Sequence, residues 1–150
     1  MRIVAQRVSK ASVTIAGTEK SRIGWGMMIL LGIEEADDEE DVEWLCGKLS
    51  KLRIFSDEND SMNLDISQIG GSFLVVSQFT LHALTKKGNR PSFIRAARPE
   101  HAIPLYERFV KRLQEVSGRE VRTGEFGAMM EVSLVNDGPV TILIDSKHRE

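Results

Sequence analysis

Hydrophobic and polar positions along the 150-residue chain fall into short runs of period two, interrupted by two longer stripes at helical spacing. In Phe73–Leu81, FLVVSQFTL, Phe73, Val75, Ser77 and Phe79 occupy one register and Leu74, Val76, Gln78 and Thr80 the other. Apolar residues in both registers predict a strand covered on both faces, and Met27–Ile33 reads the same way. Met1–Val8 and Ala11–Ala16, followed by the turn Gly17-Thr18-Glu19-Lys20, predict two or three short opening strands arranged as a meander. Arg53–Ser56 is a further short strand candidate. Near the C-terminus Glu120–Thr123, Ala128–Val135 and Val140–Asp145 read as strands, with Gly124 and Gly127 bracketing a bend.

The two stripes predict helices. Asp37-Asp38-Glu39-Glu40 sets an N-cap candidate three residues before a glutamate, and Val42, Leu45, Cys46, Leu49 and Leu52 then share one face. The second stripe is Ala102, Leu105, Tyr106, Phe109, Val110, Leu113 and Val116, with Gly118 just beyond as a C-cap. Cys46 therefore reads as a small core residue.

Composition narrows the class. With 41% hydrophobic and 28% charged residues, the chain is sized and composed for one domain over residues 1–150, which excludes disordered and collagen-like readings. Its longest apolar run is too short to cross a bilayer, and no signal-like segment opens the chain, so a cytoplasmic protein with no membrane partner is expected. One cysteine and three scattered histidines give neither an internal disulfide nor zinc-site spacing, so no metal or cofactor is expected.

Net charge is only −2, but Glu34–Asp65 holds twelve acidic and three basic residues, and His82–Arg122 ten basic and four acidic. Two readings stay open for the basic segment: a solvated helix face, or a surface that meets phosphate.

Candidate chemistry gathers at two places. Buried Ser77, Gln78 and Thr80 require partners, either neighbouring backbone or a substrate in a pocket at the strand end. The basic loop Lys86-Lys87-Gly88-Asn89-Arg90-Pro91-Ser92 follows, longer than a tight connection needs. A nucleophilic Thr80 would need a base, and the only histidine near the motif, His82, reads as a loop or surface residue. The second place is Asn136-Asp137-Gly138-Pro139-Val140-Thr141, a turn tetrapeptide running into a β-branched strand. Arg7, in a strand with apolar neighbours, calls for an acceptor.

Ser77-Gln78-Phe79-Thr80 together with Asn136–Thr141 resembles the two signature motifs of the D-aminoacyl-tRNA deacylase family. The resemblance extends through Met1–Val8, Leu31-Gly32-Ile33, Lys87–Phe93 and Gly124–Met130, essentially the whole chain. It implies an α+β fold: mostly antiparallel, barrel-like β-sheets with two main amphipathic helices packed outside. It also implies an enzyme that hydrolyses the ester of D-aminoacyl-tRNA and glycyl-tRNA, with Ser77, Gln78, Phe79 and Thr80 at the catalytic site. Backbone N–H groups around Phe79 and Thr80 are the candidate oxyanion donors, and a terminal ribose hydroxyl of the tRNA assists. In such a homodimer a cis Gly138-Pro139 element reaches into the partner's pocket and rejects L side chains, Arg7 steadies that element, and Phe126 and Met130 match the adenine pocket. Two other classes stand beside this: a noncatalytic RNA-binding or assembly module, and a small esterase using Thr80 or Ser77 as nucleophile.

Overall fold

A computed structural model describes residues 1–150. The strands are β1 (Arg2–Ile15), β2 (Thr18–Ile23), β3 (Gly26–Gly32), β4 (Phe55–Ser56), β5 (Met62–Leu64), β6 (Ser72–Ser77), β7 (Val121–Thr123) and β8 (Glu131–Asp145). The helices are α1 (Glu39–Ser50) and α2 (Pro99–Ser117). The six longer-range strands form one mixed sheet in the order β2-β1-β3-β6-β7, with β8 on the other edge of β1; β4 and β5 pair separately. Pairings with β1 are antiparallel, while β3-β6 and β6-β7 are parallel. Ser21 Oγ in β2 donates to the Thr123 carbonyl in β7 at 2.7 Å, so the ends of this order meet and the sheet is nearly closed into a barrel. The fold is α+β, and no helix is long and apolar enough to cross a membrane.

Of the two or three expected opening strands, Met1–Val8 and Ala11–Ala16 are one bent strand, β1, and β2 is separate. Val8 pairs with Asn136 and Lys10 with Val135, so Ser9 is an extra residue on β1. A single extra residue reverses the facing of everything after it. Ile3 and Ala5, before the bulge, face the cluster under the helices, whereas Ala11 and Val13, also odd-numbered but after it, join even-numbered Val8 in a second cluster with Met28, Leu74 and Val76 inside the barrel. The expected pair of C-terminal strands is likewise the single β8. Gln6 pairs with Thr141 and Val8 with Asn136, so Asp137–Val140 leave the ladder as a protrusion from within a strand.

The strand expected over Phe73–Leu81 is shorter than that stretch. β6 ends at Ser77, whose partner Leu31 stands one residue before the end of β3. The Gln78 amide donates to the Leu31 carbonyl at 2.8 Å, and the chain then turns into a one-turn 3₁₀ helix, Phe79–His82. Gly32 makes room for that turn: a Cβ there would lie 3.0 Å from the Gln78 carbonyl oxygen and 3.0 Å from Leu81 Cβ.

Outside the sheet, α1 and α2 bury Val42, Leu45, Cys46, Leu49, Ala102, Phe109 and Leu113. Tyr106 Oη donates to the Val75 carbonyl at 3.0 Å and ties α2 to β6. Gly118, at φ 63°, closes α2 as expected. The cap of α1 is shifted by one residue from Asp37/Glu40: Asp38 accepts from Glu40 N at 2.9 Å, and Asp41 accepts from Asp38 N at 2.9 Å. Asp37 is instead buried, bonded to Glu34 N at 2.8 Å and to the Met1 ammonium.

Candidate active site

The motif Ser77-Gln78-Phe79-Thr80 sits where a strand buried over Phe73–Val76 gives way to a tight turn. Ser77 and Gln78 are half-buried, whereas Phe79 and Thr80 are exposed. The Gln78 side-chain Nε2 donates to the Thr80 hydroxyl, so this hydroxyl is held within the motif. Leu81 N and Ala83 N bond back to the carbonyls of Gln78 and Thr80 at 3.3 and 3.1 Å. The amides of Phe79 and Thr80 are the first of the turn and by position have no acceptor inside it. Phe79 keeps its orientation through an edge contact with Phe93, ring centroids 5.1 Å apart.

Beside this turn lies a largely apolar cavity of about 330 Å³. Ser77, Gln78 and Phe79 form one wall, and Phe126 and Met130 another. Phe126 packs edge-on to Tyr106 at 5.7 Å, which fixes it against α2. Gly124 gives Met130 its place, since a Cβ there would lie 2.5 Å from the Met130 sulfur. Sequence reading named both residues; it assigned no role to Phe93, which supports Phe79, or to Met129, which lines the cavity while remaining 92% exposed. Thr80 does not line this cavity.

Arg7, Gly138 and Pro139 stand elsewhere. Arg7 pairs with Met27, which pairs with Phe73, four residues before Ser77 and therefore roughly 13 Å away along the strand direction. The buried Arg7 guanidinium donates from Nη1 to the Ile54 carbonyl at 2.7 Å and from Nε to the Asp137 carbonyl at 3.2 Å. It also pairs with the Asp137 carboxylate at 2.9 Å. Asn136 Nδ2 donates to the carbonyls of Arg7 and Val140, both at 3.0 Å. The protrusion is thus braced at its base. Its tip, Gly138-Pro139, is exposed, joined by a cis peptide, with Gly138 at φ 120°. Within one chain, the tip and the Ser77–Thr80 turn are not brought together.

His82 corrects the expectation of a surface histidine: it is 1% exposed beneath the turn. Neither ring nitrogen hydrogen-bonds to the chain, and Nδ1 lies 3.9 Å from the Glu34 carboxylate, itself held by Arg95 at 2.7 Å. Thr80 therefore has no base in contact. Burial pushes the Cys46 thiol up to about 12, which keeps it protonated and unreactive.

Residues 4–145 match the family described as D-Tyr-tRNA(Tyr) deacylase. The chain belongs to this family. Among relatives of the D-Tyr-tRNA(Tyr) deacylase family, a D-aminoacyl-tRNA deacylase of Bacteroides thetaiotaomicron is 63% identical over 150 residues, with all of both chains covered. One from Flavobacterium johnsoniae is 58% identical over the same full length. A solved structure titled c-Myc DNA Unwinding Element Binding Protein superposes with TM-score 0.90 at 38% identity, covering 97% of this chain and 98% of that one. A probable eukaryotic D-amino acid tRNA deacylase has the same fold, with TM-score 0.80 at 18% identity over 95% and 97% of the chains.

Proposed function

We propose that this member of the deacylase family hydrolyses the ester joining a D-amino acid to the terminal adenosine of tRNA, releasing free amino acid and tRNA in the cytoplasm. The observation that carries this reading is the pair of amides at Phe79 and Thr80, without acceptors in their own turn, beside a cavity walled by Phe126 and Met130. The adenine is assigned to the part of the cavity lined by the Phe126 ring and the Met130 thioether, which sets the ester near the turn. Water attacks the ester carbonyl carbon and gives up a proton, and charge moves onto the carbonyl oxygen, where the two amides receive it; the carbon–oxygen bond to ribose then breaks, the ribose oxygen takes up a proton, and the amino acid leaves with the water's oxygen in its carboxylate. No side-chain nucleophile is needed, and a neighbouring ribose hydroxyl assists. The Gln78–Thr80 bond keeps the turn in shape.

Chiral choice is assigned to Gly138 and Pro139 from a second copy of the chain. Their exposed tip, remote from the chain's own turn, is braced by Arg7 and Asn136 as a rigid element that presents carbonyls where an L side chain would go. A homodimer completes each site, and glycine, having no side chain to reject, passes. The test is deacylation of D-tyrosyl-, L-tyrosyl- and glycyl-tRNA by purified protein. Loss of the D and glycyl esters with the L ester intact is expected.

The likeness to a protein titled as a DNA-element binder favours one second reading, a nucleic-acid-binding module without turnover. Salt-sensitive binding with no ester cleaved by folded protein would select it.

A further inference from the structure

We propose that the loop Thr85–Pro91 is a phosphate clamp for the RNA that leads into the cavity, a role that rests on tRNA being the substrate. Three observations meet here. First, no Asp or Glu occurs anywhere from Ile66 to Pro99, although the stretch contains Lys86, Lys87, Arg90, Arg95 and Arg98. Second, Lys86, Lys87 and Arg90 are exposed and join no ion pair, while Arg95 beside them is engaged with Glu34, and Arg2, Arg7, Arg22, Arg108, Arg112, Arg122 and Arg149 each have a carboxylate. Three uncompensated cations within five residues are a local positive field on a chain of net charge −2.

Third, the loop is held against the site. Leu84 and Ser92 exchange two backbone hydrogen bonds, 2.8 and 3.0 Å, which pinch its base. One residue further, Phe93 packs on Phe79, the residue that walls the cavity. Gly88, at φ 70°, turns the tip. The Phe93–Phe79 contact thus joins the base of this loop to the cavity wall, so a nucleotide chain leaving the cavity past Phe79 runs toward three unpaired cations. The tip carries no aromatic residue for stacking on bases, and lysines act as point charges toward phosphate. The recognised chemistry is therefore the RNA backbone, independent of base sequence.

Two readouts separate this inference from the reaction it serves. Binding of uncharged tRNA is measured against salt for the unaltered protein, for Lys86→Gln/Lys87→Gln/Arg90→Gln, for the arginine-retaining Lys86→Arg/Lys87→Arg, and for the remote control Lys111→Gln. The triple variant is expected to bind weakly, with a slope of log affinity against log salt shallower by about 2 to 3. The arginine variant and Lys111→Gln are expected to match the unaltered protein. In parallel, the ratio of kcat/KM on D-tyrosyl-tRNA to that on D-tyrosyl-adenosine is expected to fall in the triple variant through KM. An unchanged salt slope in the triple variant, or an equal loss in Lys111→Gln, overturns the clamp. Failure of the unaltered protein to cleave either ester overturns the deacylase reading alone, because the binding readout does not depend on turnover.

Discussion

A Cβ at position 138 would lie 2.8 Å from Nη2 of Arg7 and 2.9 Å from a methyl of Val140. Gly138 also holds φ 120°, where side chains are strained. Gly138→Ala is therefore expected to shift the tip while leaving the two clusters of the core intact. Melting should change by less than Arg7→Ala, which strands the Ile54 carbonyl and Asp137 and costs about 1–3 kcal/mol. Both variants should lose discrimination between D- and L-tyrosyl-tRNA. Unaltered discrimination in both would remove the tip from the selectivity filter.

The oxyanion donors can be removed one at a time because the turn begins at Phe79. Proline is tolerated at the first helical position, and Gln78, at φ −145° and ψ 81°, lies outside the α region that a following proline disfavours. Phe79→Pro deletes one amide hydrogen and is expected to lower kcat by about 10²–10³, the usual loss for such a donor. Phe79→Ala controls for the lost contact with Phe93 and should retain most of the rate. Thr80→Ala, which removes only a hydroxyl bonded to Gln78, should retain turnover within about tenfold, equivalent to 1.4 kcal/mol. Abolished turnover in Thr80→Ala, with an acyl adduct on Thr80 of the parent protein, would restore the nucleophile reading.

Both helices and the strands around Met27–Ile33 and Phe73–Ser77 were legible because their apolar periods are uninterrupted. The break between Val8 and Ala11 was legible too, but its meaning was not: a change of phase reads equally as a new strand or as a bulge, and only pairing with β8 distinguishes them. The same ambiguity hid the protrusion at Asp137–Val140. Phe79–His82 kept strand-like composition while adopting a 3₁₀ turn, because β3 supplied no further partner beyond Gly32. His82 was misread for a related reason: turns are mostly exposed, and this one folds back beneath the adjoining loop. Phe126 and Met130 needed the third dimension to meet Ser77.

Cys46 offers a clean exclusion. Its thiol is buried, donates weakly to the Phe109 carbonyl at 3.5 Å, and is held protonated up to about 12. An aromatic disulfide reagent at pH 8 is expected to label no thiol in the native protein and one after unfolding, with deacylation unaffected by the native treatment. Rapid native labelling accompanied by loss of activity would mean that α1 opens far more readily than its packing implies.

Acid should unfold the chain partly through Asp41. Burial raises its pKa, but Lys147 at 2.8 Å, Ser146 and the Asp38 amide more than offset this and hold it below the ordinary 3.8. Asp145, half-buried, is lowered in the same way: desolvation raises it, but the Lys147 backbone N–H at 2.9 Å and Arg2 at 3.0 Å more than offset this. A carboxyl whose folded pKa is depressed contributes stability that is complete above its unfolded value and is lost as pH falls through the folded one. Stability to urea is therefore expected to begin falling below about pH 4, with each such carboxyl adding up to about 1.4 kcal/mol per pH unit. Asp41→Asn keeps an oxygen to accept from Asp38 N but removes the titration, so it should be less stable at pH 7 and show a shallower acid limb. Lys147→Met provides the reciprocal check: without its cation, Asp41 loses a major lowering influence, its folded pKa rises toward the unfolded value, and the variant should be less stable at pH 7 with a shallower acid limb. An unchanged limb in both variants would place the acid-sensitive carboxyls elsewhere, with Asp145 the next to substitute.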